Sequence, residues 1–275
     1  MRSLAFARFL CRLAVGLVGT LGSFSRPAQA AYIRIQTVVE PIQITGQSGT
    51  ANIQIKNTGD EAARMIVISA ILPEGFSLQE NSFPELAPNQ EFKVSAKVLC
   101  KTSENGTYAG ALLVQYTDTN GYPFSLTSPL PFYLGRGTSP SIALQGEKAS
   151  LHQHSRTTLR YEVFSREPQS QVMRAWLATP KELAATKAVQ ILSAAPQLRM
   201  PVRFDISENG ALAGSTYVPV LIVDYSKDGA HYASTFSAPV TILPERSPYL
   251  AAMMAVAVAL LLVLVAYARR SRSAR

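Results

Sequence analysis

The chain has 275 residues and a formal net charge of +8, but the excess positive charge lies at its two ends. Four of the 26 basic residues precede residue 31 and four follow residue 268, and neither end carries an acid. Residues 31–248 therefore hold 18 basic and 18 acidic residues. This balance argues against a basic surface of the kind that binds nucleic acid.

The first 30 residues have the pattern of a signal peptide. Arg2, Arg8 and Arg12 precede the apolar run LAVGLVGTLG, and Ala28-Gln29-Ala30 fits the small-residue cleavage pattern. A retained signal anchor is the alternative. After cleavage only Cys100 remains, so we expect no intrachain disulfide, a half-buried strand position for this thiol and, as the alternative, an intermolecular bridge.

Short strand patterns alternate with turns from residue 31 onward. Residues 51–56 and 92–98 alternate apolar and polar side chains, which is typical of strands with one buried face. The nearly continuous apolar run 65–72 predicts a strand buried on both faces. Residues 181–189, KELAATKAV, are the exception and predict a short helical segment. Gly, Pro and Asn separate the strands at the spacing of antiparallel β-sandwiches.

The exported part also contains a repeat. SENGTYAG at 103–110 returns as SENGALAG at 207–214, and an apolar strand follows each copy. The two copies are offset by 104 residues, which is about the size of one immunoglobulin-like sandwich. We therefore predict two sandwiches in tandem, at residues 31–136 and 137–245. The boundary falls in the turn-rich segment 135–140.

Residues 249–268 form an uncharged apolar run long enough to cross a bilayer as a helix. Tyr249 and Tyr267 mark its ends, and the basic tail 269–275 predicts a cytoplasmic C-terminus. The sequence therefore predicts contact of 249–268 with membrane lipid and places residues 31–248 in the periplasm or outside the cell. Residues 243–248, LPERSP, resemble sorting signals but differ from them at Arg246 and Ser247, so we expect the span to be retained.

Three stretches carry a family resemblance: NIQIKNTGDEAARMIVISAILPEGF (52–76), FPELAPNQEFKVSAKV (83–98) and ENGTYAGALLVQY (104–116). They resemble bacterial immunoglobulin-like envelope modules of the NEW3 or CARDB type and, more weakly, PapD-like periplasmic pilus chaperones. The matching positions are Asn57, Gly59, Asp60, Leu86, Pro88, Gln90, Gly106, Tyr108, Gly110 and Leu112. The resemblance implies a sandwich fold and its turns, and says little about function.

The chaperone resemblance has two further implications. Such chaperones add an edge strand to an incomplete subunit, and they hold the subunit's C-terminal carboxylate with a basic pair between their domains. Arg34 is a candidate for one member of that pair, and the sequence identifies no second member.

Candidates for chemistry are few. His152 and His154 alternate on a predicted strand, so both rings should share one face; we interpret that face as solvated, with a metal site as the alternative. Asp60 and Glu61 suit a turn better than an acid–base pair.

Two aromatic residues and one sequon have structural interpretations. Trp176 is expected in the core of the second sandwich, with an exposed binding aromatic as the alternative. We expect Tyr108 to pack or bond across a strand corner. Asn105-Gly106-Thr107 fits a turn, although it also matches a glycosylation sequon.

The sequence thus predicts an all-β protein with two immunoglobulin-like sandwiches followed by one transmembrane helix. Its predicted function is that of a membrane-anchored binding or scaffold protein of the bacterial cell envelope that contacts an envelope or secreted protein. We expect no catalytic residue, cofactor, metal, nucleic acid or small-molecule substrate, and the sequence does not identify the partner-binding residues. The alternatives are a PapD-like assembly chaperone and, third, a membrane-anchored enzyme or metal carrier.

Overall fold

The computed structural model describes residues 32–245, 256–263, 265 and 270. The predicted signal peptide 1–30 lies outside these residues, as do most of the predicted span 249–268 and most of the tail 269–275. Within the predicted span, residues 256–263 are helical. No helix in the described part of the chain is both long enough and apolar enough to cross a membrane.

Residues 32–245 are mostly β-strand, as predicted. The strands of the first half are β1 (Ile35–Val39), β2 (Ile42–Thr45), β3 (Ser48–Asn57), β4 (Ala63–Ile71), β5 (Phe76–Leu78), β6 (Asn81–Leu86), β7 (Glu91–Cys100), β8 (Gly106–Thr117) and β9 (Pro123–Leu134). Those of the second half are β10 (Ile142–Gly146), β11 (Ala149–His152), β12 (Arg156–Ser165), β13 (Gln171–Ala178), β14 (Leu183–Ala185), β15 (Val189–Ala194), β16 (Arg199–Glu208), β17 (Thr216–Tyr217), β18 (Val220–Lys227), β19 (Ala230–Ser237) and β20 (Val240–Leu243).

The first half is a sandwich of two sheets. One sheet has the order β1-β3-β7-β5, and the other has the order β2-β9-β8-β4-β6. Strand β2 joins them, because it runs parallel to β9 and also turns into β3. Ile53 and Val94 lie directly opposite each other and are buried, which confirms the predicted phase of β3 and β7.

The second half repeats this strand order. Its sheets are β10-β12-β16-β14 and β15-β13-β18-β19, with β20 placed between β11 and β17 at one side. Each half has its own core: one buried cluster extends from Ile42 to Leu134 and the other from Ile142 to Ile242. The predicted boundary segment 135–140 lies between these clusters. We refer to the halves as the first and second sandwich.

The predicted burial of 65–72 on both faces is wrong. Ile66 and Ile68 are buried in the first core, but Met65 is 71% exposed, with a φ of 50° where the pairing of β4 with β8 shifts register. The strands with consecutive buried residues on both faces include β8 over residues 106–114, β13 over residues 175–178 and β18 over residues 220–225.

Two further expectations need correction. Residues 181–189 do not form a helix: Leu183 is buried in the second core and begins β14, which pairs with β16.

The repeated octapeptide also differs in structure, since 106–110 begins β8 whereas 209–215 is a loop. The strands that correspond are β8 and β18, which overlap YAGALLVQY (108–116) and YVPVLIVDY (217–225). Strand β8 pairs with β4, and β18 pairs with the equivalent strand β13.

Candidate interaction surface

Strands β8 and β18 explain how the two sandwiches meet. On each strand one face fills its own core, and the other face enters a third buried cluster shared by both sandwiches. Its members are Ile71, Ala109, Ala111, Trp176, Ala178, Val220, Ile222 and Ala233. We call this contact the interdomain face. Small side chains come from β8 and the large Trp176 and Ile222 from β13 and β18, so the small residues leave room for the large ones to pack against β8.

Polar contacts close one end of the interdomain face. The backbone N–H of His231 donates to the Asn105 carbonyl at 2.9 Å, and its ring Nδ1 lies 2.9 Å from the Thr107 carbonyl. Because a carbonyl only accepts, Nδ1 carries the hydrogen in this bond. The imidazole also stacks on Tyr108, with ring centroids 3.9 Å apart.

Gly106 makes this approach possible. Its φ is +145°, and a Cβ at this position would lie 2.1 Å from the His231 carbonyl oxygen. Only glycine leaves room for the second sandwich here, because any side chain would collide with backbone. The close approach of the His231 backbone, more than the formation of a turn, explains why this chain has glycine at position 106.

Buried polar groups close the other end. Ser125 and Thr127 of β9 face the second sandwich; the Ser125 hydroxyl donates to the Glu182 carboxylate at 2.5 Å, and Thr127 donates to the Val218 carbonyl at 2.7 Å. Ser125 also accepts the Lys181 backbone N–H. Burial raises the pKa of Glu182, although the Ser125 hydrogen bond opposes that shift.

Trp176 lies between the sandwiches, which corrects both interpretations of it. It is 8% exposed, but its neighbours Ala175 and Leu177 fill the second core, so the indole points to the opposite face of β13. The indole Nε1–H donates to Asp224 at 2.9 Å, and Arg174 holds the same carboxylate with two nitrogens. The buried charge of Asp224 is therefore paired, as a buried carboxylate must be.

The same sheet face continues beyond the covered region. Val189 on β15 lies opposite Trp176, and Ile191 lies opposite Arg174. Val189, Ile191 and Val172 are 48%, 68% and 69% exposed. We call these three side chains the edge patch. None of the three was among the site residues predicted from the sequence; the uncharged strand VQILSA, which lacks proline, is the signal that could have indicated an unprotected edge.

The family motif residues are structural. Asn57 is fully buried; its side chain donates to the carbonyls of Glu61 and Leu86 and accepts the Gly59 N–H. Gln90 accepts the Ala87 N–H and closes the following turn. The Tyr108 hydroxyl donates to the Glu104 carbonyl at 2.7 Å, which confirms the expected corner bond. Burial raises the pKa of Tyr108 to about 12.

The predicted sharing of one strand face by His152 and His154 is wrong. His152 ends β11 and its Nδ1 lies 2.8 Å from the Pro244 carbonyl, whereas His154 sits in the following turn with a φ of 55° and approaches Glu208. The turn rotates the second ring away from the strand periodicity. In the described residues, no three His, Cys, Asp or Glu side chains form a group suited to a metal ion.

The remaining candidates have local partners. Asp60 accepts the Tyr32 N–H, and Glu61 accepts the N–H of Thr119. Arg34 is exposed, and its carbonyl accepts from Thr58 on the β1–β3 side, so no described contact places it between the sandwiches. Cys100 is a free thiol, 3% exposed, in the first core and is thus more buried than expected.

Fold and surface together define an all-β protein with two immunoglobulin-like sandwiches joined through their β8 and β18 sheets. Residues 44–117 match the family model described as NPCBM-associated, NEW3 domain of alpha-galactosidase. The resemblance of the first sandwich to NEW3 domains is therefore confirmed. No curated protein sequence matches the chain significantly.

Three solved structures similar to this chain have low sequence identity to it. A Porphyromonas gingivalis W83 protein of unknown function has 11% identity and a TM-score of 0.31, and the match covers 75% of this chain and 99% of the other. The periplasmic chaperone SfaE has 11% identity and a TM-score of 0.27, with 77% and 100% covered. Red sea bream transglutaminase has 12% identity and a TM-score of 0.28, with 80% and 32% covered.

Proposed function

We propose that this chain is a membrane-anchored binding or scaffold protein of the cell envelope, exposed outside the cytoplasm, whose two sandwiches act as one rigid module. The observation that carries the proposal is the interdomain face. Apolar packing fills its middle, and hydrogen bonds from His231 and Ser125 close its two ends. Domains of one chain normally move relative to each other unless their interface is extensive and apolar.

A rigid pair suits recognition. Loops and edge strands from both sandwiches keep fixed relative positions, so a partner that contacts both loses less conformational entropy on binding. The contacts that fix these positions span large separations in the chain: Ser226 on β18 donates to Glu104 before β8, and Tyr122 after β8 donates to the Gly210 carbonyl.

The buried ionisable groups support binding over catalysis because each holds one structural element to another. Asp224 anchors Arg174 and Trp176, and Glu182 joins Ser125 across the interdomain face. Glu167 accepts hydrogen bonds from Lys227 at 2.7 Å and Tyr225 at 2.8 Å. The Lys227 hydrogen bond lowers the pKa of Glu167, so its charge serves this pairing.

Sequence supports the proposed location. The uncharged run 249–268 and the arginine-rich tail favour a C-terminal anchor with the tail in the cytoplasm. Strand β20 ends at Leu243, so only a short segment with Pro244 and Pro248 would separate the second sandwich from the lipid. The family model that matches residues 44–117 is described as an NPCBM-associated domain of alpha-galactosidase, and an associated domain agrees with a supporting role.

The test of the binding role is separation of the sandwiches without damage to either core. Ala111 is fully buried in the interdomain face, so Ala111→Arg should force the sheets apart. Gln54→Arg on the outer side of β3 is the matched control. Proteins that co-purify with the tagged full-length chain from native membranes should remain with the control and fall at least tenfold with Ala111→Arg. Equal recovery with both variants, despite faster proteolysis of 135–140 in Ala111→Arg, would refute the rigid module.

The proposed topology has its own test. Protease added to intact spheroplasts should remove most of the protein and leave a small C-terminal fragment. Protection of residues 32–245 together with loss of the tail would reverse the orientation and reject the extracytoplasmic location.

A further inference from the structure

We propose that β15 pairs antiparallel with β15 of a second copy of this chain, about a two-fold axis through Ile191. This self-association goes beyond the binding role proposed above. It rests on an open strand edge, on the edge patch beside that edge, and on a register that the strand can satisfy with itself.

Strand β15 is an open edge in the described part of the chain. It pairs with β13 on one side only, and its sequence VQILSA contains no charge and no proline. The equivalent edge of the first sandwich, β6, contains Pro84 and also Glu85, whose carboxylate lies 3.4 Å from Arg64. Proline and charge are the usual protection of sheet edges against pairing, so one edge is protected and its counterpart is not.

The edge patch is an extension of a face that already makes an interface. Trp176 and Ile222 are covered by the first sandwich, and Val189 lies in the same row of side chains, opposite Trp176. Val189, Ile191 and Val172 thus continue an apolar face where the first sandwich no longer covers it. A partner seated beside β15 would bury apolar area that is now in water.

The register of β15 favours a second copy as that partner. In an antiparallel pair, residues directly opposite each other share a face, so the two-fold axis must pass through a residue. An axis at Ile191 places Ile191 against Ile191, Val189 against Ser193, and Gln190 against Leu192. Outer residues then meet outer residues and inner residues meet inner ones along the strand.

Charge supports the same occupant. A two-fold axis brings charges on a short strand close to their own copies, and like charges opposite each other destabilise a sheet. Strand β15 has none, so nothing in it opposes self-pairing or selects a charged partner. The interface would be isologous, with the same patch buried on both copies. One short strand is smaller than a standard interface of about 1,200–2,000 Å², so the dimer should be weak and favoured by crowding in the membrane.

Cysteine cross-linking of the full-length chain in membranes tests the register. Opposite residues in antiparallel strands have Cα atoms about 4.5–5.5 Å apart, within the range of a disulfide. Under mild oxidation, Ile191→Cys should form at least tenfold more disulfide-linked dimer than Met65→Cys. Met65 is equally exposed but lies on the first sandwich. The unchanged chain, whose Cys100 is buried, supplies the background.

A mixed experiment sharpens the register. Chains with Val189→Cys and chains with Ser193→Cys, expressed together with different tags, should cross-link to each other at least fivefold more than either does to itself. Ile191→Lys should abolish the association in a concentration series by analytical ultracentrifugation, whereas Ile191→Val should keep it.

Three outcomes would overturn the proposal. The first is a dimer yield for Ile191→Cys no higher than that for Met65→Cys. The second is that, in the mixed experiment, chains with Val189→Cys link to each other as often as to chains with Ser193→Cys. The third is photo-cross-linking, with a photoreactive residue at position 191, that captures only a different protein. None of them bears on the rigid module, because Ala111 lies on the interdomain face and not on the β15 edge.

Discussion

The two cores and the interdomain face are built from different chemistry. The cores of the sandwiches are almost wholly apolar, with Ile53 facing Val94 in the first and Tyr161 packed near Phe204 in the second. The interdomain face instead packs the alanines of β8 against larger side chains such as Trp176, and adds buried polar groups, among them Ser125, Glu182 and His231. The cores thus rest on the hydrophobic effect, which lacks direction, whereas the interface also depends on directional bonds that fix one orientation.

This difference predicts a hierarchy of damage. A charge in a core removes the fold of that sandwich, because burial of an unpaired carboxylate has no local compensation. A change in the interdomain face leaves both sandwiches folded and alters how firmly they are joined.

The largest effect is expected in the first core. Ile53→Asp and Val94→Asp should each cost about 4 kcal/mol or more, because each places an unpaired carboxylate among apolar side chains. Gln54→Asp should change stability by less than about 0.5 kcal/mol, since it lies on the other face of β3 opposite Lys93. Thermal unfolding of the purified variants measures this, and equal losses from all three would refute the assigned core.

Trp176→Ala should have the next largest effect. Loss of the indole removes packing from the interdomain face and a hydrogen bond to Asp224, at a cost of about 3 kcal/mol. Calorimetry should then show two separated transitions in place of one. Arg160→Ala, an exposed position on β12 of the same sandwich, is the control and should leave the trace unchanged. A single transition with both variants would mean that Trp176 is not what couples the unfolding of the two sandwiches.

Gly106→Ala tests the close approach of the two backbones. The added Cβ meets the His231 carbonyl, so we expect a loss of about 2 kcal/mol and weaker docking. Gly121→Ala supplies the control, because Gly121 also has a positive φ but open space around it. The difference between the two unfolding midpoints isolates the contact, and no difference would argue that the strands separate there in solution.

Glu182→Gln should give the smallest change, visible mainly as a pH dependence. The pKa of Glu182 is raised by burial above its ordinary value of 4.5, so between these two values the native protein binds more protons than the unfolded chain. The free energy of unfolding of the unchanged protein therefore falls as pH rises from 4.5 through the raised pKa. Glu182→Gln has no proton to lose there, so its free energy of unfolding does not fall in this way. Relative to the exposed control Glu91→Gln, Glu182→Gln should gain stability as pH increases above 4.5. A difference that is constant with pH would show that Glu182 is not desolvated.

Local pattern was sufficient for the strands and their phase. Alternation identified β3 and β7, and Asn57 and Gln90 marked turns in which their side chains bond backbone groups of neighbouring residues. These features depend on residues close in sequence or on one periodic face. Local pattern failed at 181–189, where the helical propensity of KELAATKAV yields to burial of Leu183 and pairing of β14 with β16.

The sequence marked β8 and β18 as apolar strands but predicted burial on both faces only for 65–72, and no local pattern shows what covers a second face. Sequence alone therefore determined an all-β chain with two comparable halves, because strand periodicity and turn chemistry are local properties. Only the tertiary structure decided that Trp176 belongs to the interface, that Gly106 admits the His231 backbone, and that β15 remains an open edge. Each of these depends on contacts between residues dozens to more than a hundred positions apart, and no periodic pattern encodes which distant faces meet.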